Sequence, residues 1–282
     1  MIGAVKKFIE LVKFEHTVFA LPFAYMGMIL ARKSWPGWGV FLWVTMAMVG
    51  ARTAGMTLNR IIDVRIDGRN PRTRKRSLVT GELKMAAAWL IAAAALAVFF
   101  VSAYQLNPLC FKLSPLALIF LVSYHYVKRF SFLCHWTRGV VLAIAPLGGW
   151  LAVTGVFSWK PVLLSMAVLF WVAGFDILYS LQDLDSDREQ GLHSVPAKYG
   201  AKTAMRISEY CHWATCAFLV LFGLAVPLGR VYGAGVVIVA GLLRFEHSLL
   251  GDGDLSRINT VFFTINGWIG VLLLVFTFLD LI

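Results

Sequence analysis

Runs of about 20 apolar residues recur along the chain, and no other feature limits its fold so tightly. A helix of that length crosses the hydrocarbon core of a bilayer. Lipid offers the backbone no hydrogen-bond partners, so only helices or closed barrels span it. Nine runs are read, at roughly 14–32, 38–60, 84–104, 114–127, 139–157, 161–182, 206–227, 231–249 and 259–281. They predict an all-α fold: a polytopic membrane bundle of about nine transmembrane helices, in a single domain over residues 1–282. The fourth run is the shortest and is broken by Ser114-Pro115. With 59% hydrophobic and only 15% charged residues, the chain is too apolar for a soluble globular domain. The Met1–Phe14 segment carries Lys6, Lys7 and Lys13 without a clean small-residue cleavage site, so the first run is expected to remain as an anchor.

The net charge of +11 would suggest nucleic acid in a soluble protein. Its distribution argues otherwise. With the N-terminus inside, twenty of the 26 Lys and Arg residues fall in inside segments. Outside are only Arg32, Lys33, Lys112, Lys160 and Arg230, and Arg52 lies within a span. That bias is the positive-inside pattern, with the N-terminus in the cytoplasm and no nucleic-acid partner. Cys110, Cys134, Cys211 and Cys216 have no metal-ligand spacing and read as packing residues.

Two polar motifs stand at the ends of spans. The second span closes on Asn59, Asp63 and Asp67, spaced N-x3-D-x3-D, and the sixth on Asp183 and Asp187, spaced D-x3-D. Residues four apart share a helix stripe. One such stripe alone is more often a solvated face. Here both fall on the cytoplasmic side, where two sets of oxygen donors can face one ligand. Such donors suit a hard cation such as Mg²⁺, and the shared ligand would be rich in negative oxygens, as a diphosphate is.

Other residues remain open between structural and functional roles. Glu15 and His16 at the mouth of the first span are interfacial anchors or site residues. Arg52, seven before Asn59, either pairs with an acid or grips a substrate carboxylate. Asp176, seven before Asp183, needs a partner, and Arg52 is one candidate. Tyr124, Lys128 and Arg129 form an aromatic–basic belt or a diphosphate contact; Arg60 and Arg188 beside the motifs are further substrate contacts. The basic loop from Gly68 to Lys84 enforces topology, steers an anion or touches lipid, and no single arginine in it can be assigned. Ser180 and Gln182 can donate to a ligand, and the polar segment 189–200 can act as a lid. Asp252 and Asp254, between Gly251 and Gly253, read as a loop turn. Asn259 and Asn266, seven apart, should line one helix face.

The two motifs, in these places within about nine spans, resemble the UbiA superfamily of intramembrane prenyltransferases. His16-Thr17-Val18-Phe19-Ala20-Leu21-Pro22, Asn70-Pro71-Arg72-Thr73, Gly191-Leu192-His193-Ser194-Val195-Pro196-Ala197 and Glu246-His247 resemble its 4-hydroxybenzoate polyprenyltransferase-like branch. The resemblance implies transfer of a polyprenyl group from an allylic polyprenyl diphosphate to an aromatic acceptor, 4-hydroxybenzoate first, in ubiquinone/menaquinone-type quinone biosynthesis. It implies one Mg²⁺ on Asn59, Asp63 and Asp67 and another on Asp183 and Asp187. It also implies Tyr124 and Lys128 at the diphosphate, Asp183 assisting the phenol, and a bacterial cytoplasmic membrane with the active site on its inner side. Many relatives carry an aspartate where this chain has Arg60, a departure that also fits an acceptor from the futalosine route to menaquinone. A transporter is the competing class; acids at helix ends rather than at the midplane speak against it. Prenyl chain length and oligomeric state are not readable from these residues.

Overall fold

The computed structural model describes residues 17–250 and 255–282. Lys6, Lys7, Lys13, Glu15, His16, Asp252 and Asp254 lie outside the described residues. The long helices are α1 (Thr17–Arg32), α2 (Trp38–Ile62), α4 (Met85–Leu106), α5 (Pro108–Val127), α6 (Cys134–Thr154), α7 (Lys160–Ser180), α10 (Ala201–Ala225), α11 (Arg230–Leu249) and α12 (Asn266–Leu281). Short helices α3 (Val64–Arg69), α8 (Leu184–Glu189) and α9 (Val195–Tyr199) fill the loops that carry the motifs. Among the described residues, seven segments are long and apolar enough to cross a membrane. Helix α1 is apolar but shorter over its described part, and α11 carries Arg244, Glu246 and His247 near its end. The chain is an integral membrane protein, and nine is the count when these two join the seven.

Helix α5 begins earlier than the expected 114, because Pro108 occupies its first turn and the Asn107 side chain accepts from the Cys110 N–H at 2.9 Å. Ser114-Pro115 does not break it. Proline lacks the N–H that the Phe111 carbonyl needs, and the Ser114 hydroxyl donates to that carbonyl at 2.7 Å instead. Helix α6 likewise starts at Cys134 rather than 139, which brings His135 and Arg138 into a helix.

Helix α7 is the centre: in its apolar 18-residue stretch 61% of the residues are buried, against 17% in that of α5. Helices α6 and α10 pack on its sides, α1 packs on α6, and α11 and α12 close the ring back to α1. Helices α2, α4 and α5 form a second group joined through α6. Trp171, Phe23, Met26 and Phe222 fill the core, while Leu90, Leu224 and Val237 face outward as lipid-facing residues do. At the end remote from the motifs, the Asp280 carboxylate accepts from the N–H groups of Gly229, Val231 and Tyr232, capping α11.

Helix association in lipid relies on close packing rather than on the hydrophobic effect, and glycine permits it. Helices α1 and α6 meet reciprocally: a Cβ on Gly27 would lie 2.0 Å from the Pro146 carbonyl oxygen, and one on Gly149 would lie 2.0 Å from that of Ala24. Gly148, one residue away, has open space around it. Gly149→Ala should therefore lower the thermal unfolding midpoint in nanodiscs, at a cost of about 1–3 kcal/mol, while Gly148→Ala leaves it unchanged. Equal midpoints for the two variants would contradict this contact.

Candidate active site

A cavity of about 210 Å³ lies where α2, α5, α6 and α7 converge beside the acidic motifs. Asn59, Asp63, Asp67, Asp183 and Asp187 all line it. The first motif keeps its spacing across a helix junction. Asp63 ends α2 with φ −96° and ψ 6°, yet its N–H still reaches the Asn59 carbonyl at 3.0 Å and its carbonyl accepts from Asp67 N–H at 2.8 Å. The second motif starts where a 3₁₀ turn (Leu181–Asp183) hands over to α8, so Asp183 and Asp187 keep the four-residue helical offset.

Most of these carboxylates already face a cation. Asp63 is 1% exposed and accepts from Lys128 Nζ at 2.6 Å, with Arg129 Nη2 at 3.4 Å. Asp67 pairs with Arg76 Nη1 at 2.6 Å. Asp183 accepts a two-pronged contact from Arg72, Nε to Oδ1 at 2.8 Å and Nη2 to Oδ2 at 2.5 Å, and a bond from Asn70 Nδ2 at 2.8 Å. Burial works against the Arg72 charge, but the Asp183 bonds outweigh it and raise the guanidinium's pKa. The basic loop is thus specific: Arg72 belongs to the second motif and Arg76 to the first.

The donor set fits Mg²⁺. Every candidate ligand offers oxygen; Asn59 donates its amide hydrogens to Asp63 at 3.0 Å and to His125 Nδ1 at 3.2 Å, leaving Oδ1 for a cation. Among the described residues, no three Asp, Glu, His or Cys side chains gather round one point. Mg²⁺ is commonly held by one or two carboxylates with substrate phosphates and water, so sparse carboxylates on two sides of a cavity suit it.

Deeper in, the expected partner of Asp176 is corrected. Arg52 does not pair with it. His135 Nδ1 lies 2.7 Å from Asp176 Oδ2, and Arg138 Nη1 meets Oδ1. His135 Nε2 accepts from the Val195 N–H at 3.2 Å, so the proton sits on Nδ1 and is donated to Asp176. Arg52 lines the same cavity, and its buried Nε has no hydrogen-bond partner among the described residues.

Tyr124, Lys128 and Arg60 line the cavity as well. Arg129 braces Asp63 and the Ile62 carbonyl rather than lining the cavity. Arg188 is not brought to the site; its Nε donates to the Ala197 carbonyl at 3.3 Å. Ser180 and Gln182 are taken up by their own helix, on the carbonyls of Ile177 and Tyr179. The 189–200 segment is strapped rather than loose: His193 N–H donates to the Lys128 carbonyl at 2.7 Å, and Cys134 Sγ lies 3.3 Å from the His193 carbonyl. Sequence reasoning missed His125, His135 and Arg138. The intramembrane position of Asp176 was the only signal for the last two.

Comparisons with known proteins bear on the fold and the family. The curated 4-hydroxybenzoate octaprenyltransferase of Methylobacillus flagellatus is 30% identical over 250 residues, covering 88% of this chain and 83% of the relative. That of Nitrosospira multiformis is 30% identical over 86% of this chain and 83% of its own. The apo structure of a UbiA homologue from Aeropyrum pernix K1 superposes with a TM-score of 0.86 at 35% identity, covering 95% and 98% of the two chains. A UbiA homologue from Archaeoglobus fulgidus bound to DMAPP and Mg²⁺ shares the fold at TM-score 0.72 and 19% identity, covering 98% and 99%. The model of the UbiA prenyltransferase family matches residues 20–268, and the chain belongs to that family.

Proposed function

We propose that this chain is one membrane domain that transfers a polyprenyl group from an allylic polyprenyl diphosphate to 4-hydroxybenzoate, in quinone biosynthesis. The carrying observation is that two carboxylate stripes and a ring of cations converge on one cavity, which Arg52 also lines with a buried Nε that has no hydrogen-bond partner among the described residues. The names of the relatives at 30% identity support the same acceptor. The Arg60 departure leaves another aromatic acid as the alternative acceptor.

In this reading Asn59, Asp63 and Asp67 hold one Mg²⁺, and Asp183 and Asp187 hold another. Bound Mg²⁺ neutralises the diphosphate and makes it a competent leaving group. Lys128, Arg72 and Arg76 now face the carboxylates. All three line the cavity, so an arriving diphosphate can take the cations while the carboxylates are freed for metal. Tyr124 stands beside Lys128 at the same ligand. Arg52 grips the acceptor carboxylate: its buried Nε has no hydrogen-bond partner among the described residues, and a carboxylate supplies one. The acceptor ring carbon ortho to the phenol oxygen then attacks the allylic carbon, with Asp183 orienting the phenol. The active site faces the cytoplasm, the side on which the basic residues concentrate, and the bacterial sources of the relatives favour a bacterial inner membrane.

Two measurements test this. In nanodiscs supplied with Mg²⁺, a polyprenyl diphosphate and 4-hydroxybenzoate, the wild type should form prenylated hydroxybenzoate and release diphosphate. EDTA should abolish both, and Asp63→Asn or Asp183→Asn should lower turnover about 100-fold or more. Full turnover in both variants would sink the metal assignment. Arg52→Gln should raise the KM for 4-hydroxybenzoate about 30-fold, the worth of one charged hydrogen-bonded contact. The same variant should leave unchanged the KM for a phenol that lacks the carboxylate. An equal rise for both acceptors would remove Arg52 from carboxylate recognition.

A further inference from the structure

Asn259 and Asn266 were expected on one face, and the structure separates them. Asn259 is exposed, whereas Asn266 is fully buried. A π-helical turn over Thr260–Ile265 lies between them. Closing bonds from i to i+5 adds one residue to a turn, about 100° of helix phase. The turn leaves α12 packed on α1 and rotates Phe262 into the cavity wall.

Asn266 holds this turn together. Its backbone N–H and its side-chain Nδ2 both donate to the Val261 carbonyl, the latter at 3.0 Å. Its Oδ1 accepts from Trp171 Nε1 at 2.7 Å, and Nδ2 also donates to Glu246 Oε2 at 3.2 Å. Tryptophan can only donate, so the amide orientation is fixed. Trp171 stands on α7, five residues before Asp176, and its ring packs on Phe175 at 5.1 Å.

The rings around Phe262 form a box. Phe19 and Phe175 meet it edge-on at 5.6 and 5.3 Å, and Tyr179 lies across it at 4.1 Å. All four line the cavity. Tyr179 is also the join to the polar end: Arg72, which holds Asp183, lies 5.3 Å over its ring. The allylic carbon is the atom next to the diphosphate oxygen. A diphosphate held at Asp183 would bring that carbon toward Tyr179 and Phe262, which line the same cavity.

From this geometry we infer that Phe262, with Phe19, Phe175 and Tyr179, is the aromatic wall that holds the allylic cation, and that Asn266 is the positioning residue that aims it. The inference rests on the prenyl-transfer reading and deepens it. The C–O bond breaks with both electrons going to the diphosphate oxygen. The ring faces stabilise the positive carbon by their quadrupoles and keep water from it. The acceptor ring carbon then forms the C–C bond and loses its proton to the released diphosphate. If water enters instead, its oxygen bonds the cation and loses a proton, giving a prenyl alcohol.

The experiment uses the full chain in nanodiscs with Mg²⁺, geranyl diphosphate and 4-hydroxybenzoate. Phe262 is replaced by mono-, di- and trifluorophenylalanine, which weaken the ring quadrupole at nearly constant size. Turnover should fall stepwise, about tenfold across the series, as expected for a cation–π contact of ordinary strength. The KM for the diphosphate should stay within about twofold, since its anchors are untouched. Asn266→Asp, which keeps the acceptor for Trp171 but loses both Nδ2 donations, should raise the ratio of geraniol to prenylated product. Phe262→Tyr, which keeps an electron-rich ring, should keep the wild-type ratio. A flat rate across the fluorinated series, with an active wild type, overturns the aromatic-wall assignment alone. A ratio unchanged in a folded Asn266→Asp protein overturns the positioning role. A wild type that releases no diphosphate overturns the prenyl-transfer reading and this inference with it.

Discussion

The polar half of this structure answers to the need to pair carboxylates with cations in a low-dielectric bundle. A carboxylate carried into lipid without a partner is costly, and the favourable arrangement is a close, hydrogen-bonded pair. Asp63 on Lys128, Asp67 on Arg76, Asp183 on Arg72 and Asp176 on Arg138 are four solutions to that one problem. They also fix the elements that carry them. The Asp183–Arg72 pair joins the loop after α3 to the end of α7, and the Asp63–Lys128 pair joins α2 to α5. The cavity is bounded by these pairs, so the interactions that stabilise its walls are the ones a charged ligand must exchange with. On the proposed reading, a metal diphosphate would carry both signs and so offer a partner to both halves of each pair.

The Asp176 network extends the same constraint to the loop beyond the second motif. His135 binds Asp176 with one ring nitrogen and receives the Val195 N–H with the other. Val195 opens α9, and Ser194 just before it lines the cavity. Arg138, on the other side of Asp176, faces the cavity near Tyr124, with its guanidinium 5.9 Å from that ring. The floor of the cavity and the loop at its mouth are therefore tied through one buried carboxylate.

Much of this could be read from spacing, because the relevant geometry is local. Asn59, Asp63 and Asp67 meet at one cavity because the i→i+4 bonds survive the junction at Asp63. Asp183 and Asp187 do so because their offset falls after the 3₁₀ turn. The partners could not be read in the same way. Arg72 and Arg76 lie in a run of basic residues whose local patterns are alike, and only the fold of the loop separates them. His135 and Arg138 were hidden by a helix start five residues earlier than the apolar run suggested. Ser114-Pro115 misled because a serine hydroxyl can replace the missing proline bond, and Asn259 with Asn266 misled because periodicity assumes an unbroken α-helix. In each failure a local irregularity or a tertiary partner overrode a regular pattern.

The irregularities cluster at one place for a physical reason. A regular helix cannot easily turn a polar end toward solvent-facing ligands and an apolar side toward the same cavity at adjacent levels. The 3₁₀ turn before α8 and the π turn before α12 change the helix phase beside the cavity, whereas at Asp63 the four-residue bonds run on through the junction. Tyr179 marks the change from charged to aromatic lining, with Arg72 over one part of its surroundings and Phe262 over another. Reaction at such a boundary separates two needs that conflict in bulk solvent. The departing anion needs cations and polar groups, whereas the carbon it leaves needs a water-free wall. Placing both within one side chain's width requires helices that are regular through the membrane and irregular only at the site.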